Sequence, residues 1–192
     1  PVETVEEAQH YLNSNHIVAA ERNGLPAEGF TLGNSPESFS KELVDGKTVV
    51  ITTTNGTYTL HQCLNADKIL MGSFANISAL CNWLVGWNKP VILVCAGWKN
   101  KFNLEDTVFA GAVLFTIKQY FNLESDACIA ALNLFLTAAP DMEAYLRNCN
   151  HAQRFEKLGI NDLPVCLQAD VTDIVPVYSD GKLIALTAAQ QV

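Results

Sequence analysis

Four short runs of β-branched and aliphatic residues, Ile17 to Ala20, Thr48 to Thr52, Ile69 to Met71 and Val91 to Ala96, constrain this chain most. The last three each lead into a polar, glycine-containing segment and then into residues with helical spacing. Strand, loop and helix recurring in that order build a mostly parallel sheet covered by helices, with right-handed crossovers, so the expected class is α/β. Loops that leave the carboxyl ends of such strands collect at one edge of the sheet, where open α/β architectures bind ligands. The polar connections are therefore expected to meet there.

Local signals fill in the rest. Thr4-x-x-Glu7 is a capping box, and Val5, Ala8 and Leu12 follow at helical spacing. A polar loop is expected from Glu21 to Ser35, followed by a helix that starts at Ser35-Pro36 and stops at Asp45-Gly46. Further helices are expected through about Leu64, up to Trp87, from Glu105 to Phe121, and over Asp126 to Phe135, Met142 to Asn148 and His151 to Leu158. Asp180-Gly181 turns a closing hairpin of Val175 to Tyr178 with Leu183 to Leu186. No linker or solenoid repeat interrupts the pattern, so one domain is the expectation.

Composition narrows the partners. Twelve Lys and Arg against 20 Asp and Glu leave a net charge of -8, which offers no broad positive field to nucleic acid. The longest apolar runs fall far short of the ~20 residues of a membrane span, and Pro1-Val2-Glu3 lacks the basic start of an export signal. A cytoplasmic protein without membrane or nucleic-acid partners is expected, with a homo-oligomer left open. Six scattered cysteines without a C-x-x-C pair suit free thiols, most of them packed as small hydrophobes.

The candidate chemistry lies in the connections. Glu21-Arg22-Asn23-Gly24 puts a carboxylate and a guanidinium at a strand end; the guanidinium suits a phosphate, sulfonate or carboxylate, and the glutamate suits a metal or the fixing of that arginine. Gly29-Phe30-Thr31-Leu32-Gly33-Asn34-Ser35-Pro36 runs into a helix start that favours an anion or is simply capped by Ser35. Thr53-Thr54-Asn55-Gly56-Thr57 has the hydroxyls, amide and close-approach glycine of a phosphate cradle without being a Walker motif. Glu105 and Asp106 either answer a helix dipole or hold Mg2+ through oxygen. Of the four histidines only His61 is expected near these loops, and as a solvated or packed helix residue rather than a catalytic one. Cys95 is expected to be buried by packing.

Taken in order, Glu21-Arg22-x-Gly24, Gly29-Phe30-x-x-Gly33-Asn34-Ser35-Pro36, Thr53-Thr54-Asn55-Gly56-Thr57 and Glu105-Asp106-Thr107 resemble the 2-phosphosulfolactate phosphatase family. Arg154-x-x-x-Leu158-Gly159, Asp162, Cys166, Asp170 and Val175-Pro176 are similar to its carboxyl end. The resemblance implies a three-layer α/β/α fold with a mostly parallel or mixed sheet. It also implies a Mg2+-dependent phosphatase acting on the phosphate ester of a small 2-hydroxy acid, such as 2-phospho-3-sulfolactate in coenzyme M biosynthesis. Family members usually begin with another strand and an Asp-Val-Leu-Arg-Ala-Thr-Thr loop, to which nothing ahead of Thr4 corresponds. The expectation is a single phosphatase-like domain over residues 1–192 without that segment.

On this basis Glu21, Arg22, Asn34, Ser35 and Asn55 are the expected catalytic residues. Arg22, Gly33, Asn34, Ser35, Thr53, Thr54, Asn55, Gly56 and Thr57 are expected to bind substrate, and Glu21, Glu105 and Asp106 to hold Mg2+. A non-catalytic module that captures a small phosphorylated or sulfonated anion is the alternative, and a metal-independent hydrolase with Cys95 as nucleophile ranks below it.

Overall fold

The computed structural model of the protein describes residues 1–186 and shows an α/β chain with a mixed sheet. Two compact units are distinguished: Pro1–Ile69 with Asp180–Lys182, and Leu70–Ser179 with the described residues that follow Lys182. No helix of the described residues is long and apolar enough to cross a membrane.

In the first unit, helix α1 (Val5–Gln9) precedes strand β1 (Ile17–Arg22), which pairs antiparallel with β2 (Leu25–Pro26) and parallel with β3 (Val49–Thr52). Strand β1 is an uninterrupted apolar run from Ile17 to Ala20 and is buried from Ile17 to Glu21, the pattern of a parallel strand covered on both faces. Val18, Ala20 and Val50 join Val2, Ala8, Ala27 and Phe30 in one apolar core. At α1 the Thr4 hydroxyl accepts from the Glu7 amide at 3.0 Å, while the Glu7 carboxylate reaches the Glu3 amide instead of the Thr4 amide.

Two expectations change in this unit. The polar loop from Glu21 to Ser35 begins as a hairpin: Asn23 and Gly24 both have positive φ, 59° and 82°, as a two-residue type I′ turn requires. The helix expected from Pro36 to Asp45 is two pieces, a 3-10 turn Pro36–Ser38 and α2 (Lys41–Val44). Phe39 leaves helical geometry at φ -108° and ψ 72°, and the Ser40 hydroxyl caps α2 afresh by accepting from the Leu43 amide. Helix α3 (Gly56–Gln62) follows β3 as expected.

The second unit is mainly helical: α4 (Ile77–Trp87), α5 (Leu104–Ile117), α6 (Asp126–Ala138), α7 (Met142–Arg147), α8 (Asn150–Lys157) and α9 (Leu163–Cys166). Its two apolar clusters share α4 and α5, one centred on Leu80, Leu84, Val113 and Ile117, the other on Val108, Ala112, Ala138 and Leu146. Strands β4 (Pro176–Ser179) and β5 (Lys182–Ala185) form the expected hairpin through Asp180-Gly181.

The strands expected at Ile69 to Met71 and Val91 to Ala96 are absent as strands. Leu70 makes one isolated antiparallel bridge to Val177. Val91 and Leu93 pack on the first of those clusters, while Ile92 and Val94 are 86% and 55% exposed, so the side chains alternate as in a strand. The backbone of this segment joins no ladder among the described residues, and a β-branched run becomes a strand only when another strand takes up its amides and carbonyls.

Candidate active site

The parallel pairing of β1 with β3 ends at Ala20↔Thr52, so Glu21 and Arg22, the last two residues of β1, lie beside Thr53 and Thr54 as the chain leaves β3. Leu32 runs parallel to Ala19, and its carbonyl accepts from the Ala20 amide at 2.9 Å, so Gly33, Asn34 and Ser35 continue toward the same edge. The first unit therefore brings three of the four expected connections together.

Glu21, only 4% exposed, organises this edge. Its Oε1 accepts from the Gly24 amide and from the Thr54 hydroxyl at 3.1 Å, and its Oε2 accepts from the Thr54 amide at 3.0 Å. Three of a carboxylate's roughly four lone-pair positions are thus taken by protein donors. Arg22 donates through Nη1 to the Glu21 carbonyl at 2.7 Å and through Nη2 to the Thr52 hydroxyl at 3.1 Å. The wholly buried Thr52 hydroxyl in turn donates to the Glu3 carbonyl, so two neutral oxygens fix the guanidinium.

In the threonine turn, the Thr53 amide donates to the Thr57 hydroxyl and the Thr57 amide to the Thr53 hydroxyl, each at 3.1 Å. The Thr57 hydroxyl donates to the Thr53 carbonyl and the Thr54 hydroxyl to Glu21, so these expected cradle hydroxyls already hold protein partners, and Asn55 and Gly56 lead into α3. The Ser35 side chain makes no capping bond to the 3-10 turn after it, so the capping expected there is not its role. His61 bonds through Nδ1 to the Thr57 carbonyl one turn earlier in α3, at 2.7 Å.

Glu105 and Asp106 lie in the second unit, in the first turn of α5. Asn103 caps that helix through Oδ1, which accepts from the Glu105 and Asp106 amides at 2.8 and 3.3 Å. Asp106 Oδ2 accepts from the Gly97 amide at 2.6 Å. Gly97 has φ +70°, and a β-carbon there would come within 2.6 Å of the Lys101 carbonyl oxygen. Lys99 and Asn100, both with positive φ, turn a second type I′ hairpin closed by Trp98 and Lys101. Burial raises the Asp106 carboxyl above its ordinary value, with the Gly97 amide opposing the rise.

Three residues outside the expected set surround Glu105. His151 Nδ1 lies 2.6 Å from Oε2, the Cys149 thiol donates to Oε1 at 3.3 Å, and Asn103 supplies the helix cap. The His151 ring is flanked by Phe155 at 4.3 Å and Trp98 at 5.6 Å, and the Arg154 guanidinium lies over Trp98 at 4.3 Å. Asn103 was legible as an asparagine just before an acidic helix start. His151 and Cys149 had no such signal, because they reach Glu105 only by the packing of α8 near α5, more than 40 residues away in the chain. Cys95, expected to be buried, is exposed; partial desolvation and then the Asp106 charge push its thiol upward, away from the nucleophilic thiolate.

Among the described residues no group of three or more His, Cys, Asp and Glu side chains stands ready for a metal ion. The two adjacent carboxylates of α5 nonetheless fit Mg2+ in kind. They are hard oxygen donors, and Mg2+ is commonly held by one or two carboxylates with water and substrate oxygens completing its shell.

The model of the 2-phosphosulpholactate phosphatase family matches residues 1–181. A probable 2-phosphosulfolactate phosphatase of Clostridium botulinum is 33% identical over 186 residues, 96% of this chain and 78% of the relative. Proteins of the same description from Thermotoga maritima and Caldanaerobacter subterraneus are each 36% identical, over 96% and 94% of this chain and 80% and 78% of their own lengths. With matches of that extent, and with the Glu21-Arg22 and threonine connections meeting at one sheet edge, the chain belongs to the 2-phosphosulfolactate phosphatase family.

Proposed function

We propose that the protein is a Mg2+-dependent phosphatase that hydrolyses the phosphate ester of a small 2-hydroxy acid, with 2-phospho-3-sulfolactate giving 3-sulfolactate and phosphate as the reference reaction. A cytoplasmic setting and a place in coenzyme M biosynthesis go with that substrate. The observation that carries the reading is Arg22: a guanidinium fixed by the Glu21 carbonyl and the Thr52 hydroxyl, at the strand ends where the threonine turn begins.

Phosphate monoesters are among the slowest substrates to hydrolyse unaided, so the transition-state charge needs several fixed partners. Arg22 binds an anionic group of the substrate through its planar fork. Gly33, Asn34 and Ser35, together with Asn55, Gly56 and the Thr53, Thr54 and Thr57 hydroxyls, line the phosphoryl and acid groups. Glu21 acts chiefly as the organiser of these loops, since its lone pairs are largely spent on Gly24 and Thr54. Glu105 and Asp106 would hold Mg2+, and the chemistry that ion would supply is charge neutralisation for a phosphoryl group. In-line attack by water is the simplest course for the displacement.

The purified protein is expected to release inorganic phosphate from 2-phosphohydroxy acids with Mg2+ present, to lose most of that activity on chelation and to regain it on Mg2+ addition. Arg22→Ala is expected to lower kcat/KM on the order of 10²-fold, as loss of one preorganised donor does elsewhere. Phosphate release that survives both chelation and Arg22→Ala overturns the assignment.

A further inference from the structure

A glutamate has three rotatable side-chain bonds whose freedom is lost on ordering, so a carboxylate meant to receive a cation gains from being held beforehand. Glu105 is held at both oxygens by different groups: Cys149 Sγ donates to Oε1 at 3.3 Å, and His151 Nδ1 lies 2.6 Å from Oε2. Each oxygen keeps lone-pair capacity beyond the bond it accepts.

The imidazole tautomer follows from its neighbours. The carboxylate can only accept, so Nδ1 carries a hydrogen. The Asn103 Nδ2 contact with the same atom, at 3.4 Å, is then a contact between two donors. Flipping the Asn103 amide would remove Oδ1 from the Glu105 and Asp106 amides it caps, so the orientation stands. The ring is itself clamped between Phe155 and Trp98, and the Cys149 thiol also accepts from the Ala152 amide at the start of α8.

We propose that His151 is a positioning residue for Glu105: its Nδ1–H sets the plane of the carboxylate so that the remaining lone pairs are presented to Mg2+. This rests on the reading of Glu105 as a metal ligand. Hydrogen-bond partners of ligating groups typically contribute 10–100-fold to metal affinity.

The test is titration of the full chain with Mg2+ alone by isothermal calorimetry, without substrate, alongside thermal melting. His151→Phe keeps an aromatic ring against Phe155 and Trp98 but removes the donor, and Mg2+ affinity is expected to fall about 10-fold or more. His151→Asn places an amide N–H near the position of Nδ1, and its affinity is expected within about 3-fold of wild type. His151→Leu is the second donor-free variant should the phenylalanine fail to fold, with the same expected loss. Wild-type affinity in the donor-free variants, or equal losses in His151→Asn and His151→Phe, overturns the proposal. Glu105→Gln separates the two readings: weakened Mg2+ binding there with normal binding in His151→Phe rejects only the positioning role. Unchanged binding in Glu105→Gln rejects the metal ligand and the positioning role together.

Discussion

Glu21 shows how a single side chain can define an edge of the sheet. Its carboxylate is 4% exposed and accepts from two amides and a hydroxyl, with no cation among those bonds. In Glu21→Gln, one oxygen is replaced by an NH2 group that must face either the Thr54 amide or the donors at Gly24 and Thr54 Oγ1. A donor against a donor leaves buried groups unsatisfied, at about 1–3 kcal/mol. The urea midpoint of Glu21→Gln is expected to fall accordingly, with an unchanged m-value; a wild-type midpoint would mean the carboxylate bonds contribute nothing net. The sequence marked Glu21 and Arg22 as a pair with chemistry, because a carboxylate and a guanidinium at a strand end are visible in the linear order. That the glutamate is consumed by its own loops was not visible, since Thr54 lies 33 residues away and reaches it only through the parallel register of β1 and β3. The Asn23-Gly24 dipeptide is a local hairpin signal, yet the segment was expected only as a polar loop.

At the scale of elements, α5 carries a glycine at its middle and α4 one in its last turn, in opposite surroundings. In α5, a β-carbon on Gly111 would stand 2.1 Å from the Ala131 carbonyl oxygen and 2.7 Å from Phe135 Cβ, so the absence of a side chain lets α5 and α6 lie against each other. In α4, a β-carbon on Gly86 would meet nothing within 4 Å. The same substitution should therefore change sign. Gly86→Ala is expected to raise stability by about 0.5–1 kcal/mol from helix propensity. In Gly111→Ala that gain is outweighed by parting two backbones, with a net loss expected at about 1–3 kcal/mol or more. Thermal melts of the two variants, shifted in opposite directions by several degrees, are the check; a raised Tm in Gly111→Ala would show that α6 moves aside freely. Helices were the legible elements because their signals are local: Thr4, Asn103 and Ser125 each cap the helix that follows them. Ser40 is equally local, and it breaks the helix expected from Pro36. Strands were less legible, because Val91 to Ala96 has the residues and alternation of a strand but no ladder partner among the described residues.

Across the whole molecule, thiol ionisation bears on both stability and mechanism. All six cysteines are free. Burial raises the Cys81 thiol to about 11, and desolvation is also the largest cause of the rises at Cys95, Cys149 and Cys166. The unfolded chain releases these protons near pH 9, whereas the folded chain retains them to higher pH. Above that point the folded state binds more protons than the unfolded state, so stability falls as pH rises. For Cys81 the window runs from 9.0 to about 11, and one proton corresponds to a slope of at most ~1.4 kcal/mol per pH unit. Urea midpoints measured from pH 8 to 10.5 are expected to decline, and Cys81→Ala is expected to decline less steeply even though its small cavity lowers every midpoint. Comparing slopes rather than levels removes the cavity cost, and cancels lysines and tyrosines that titrate in both proteins. Parallel slopes would show that Cys81 ionises alike in both states. The same retention of protons separates the rival activities, because a metal-independent cysteine hydrolase needs a thiol depressed toward neutrality, and Cys95 is shifted the other way by desolvation and Asp106. Phosphate release by Cys95→Ser should accordingly match the wild type, and a loss of turnover there, with the fold intact, would return the thiol to the mechanism.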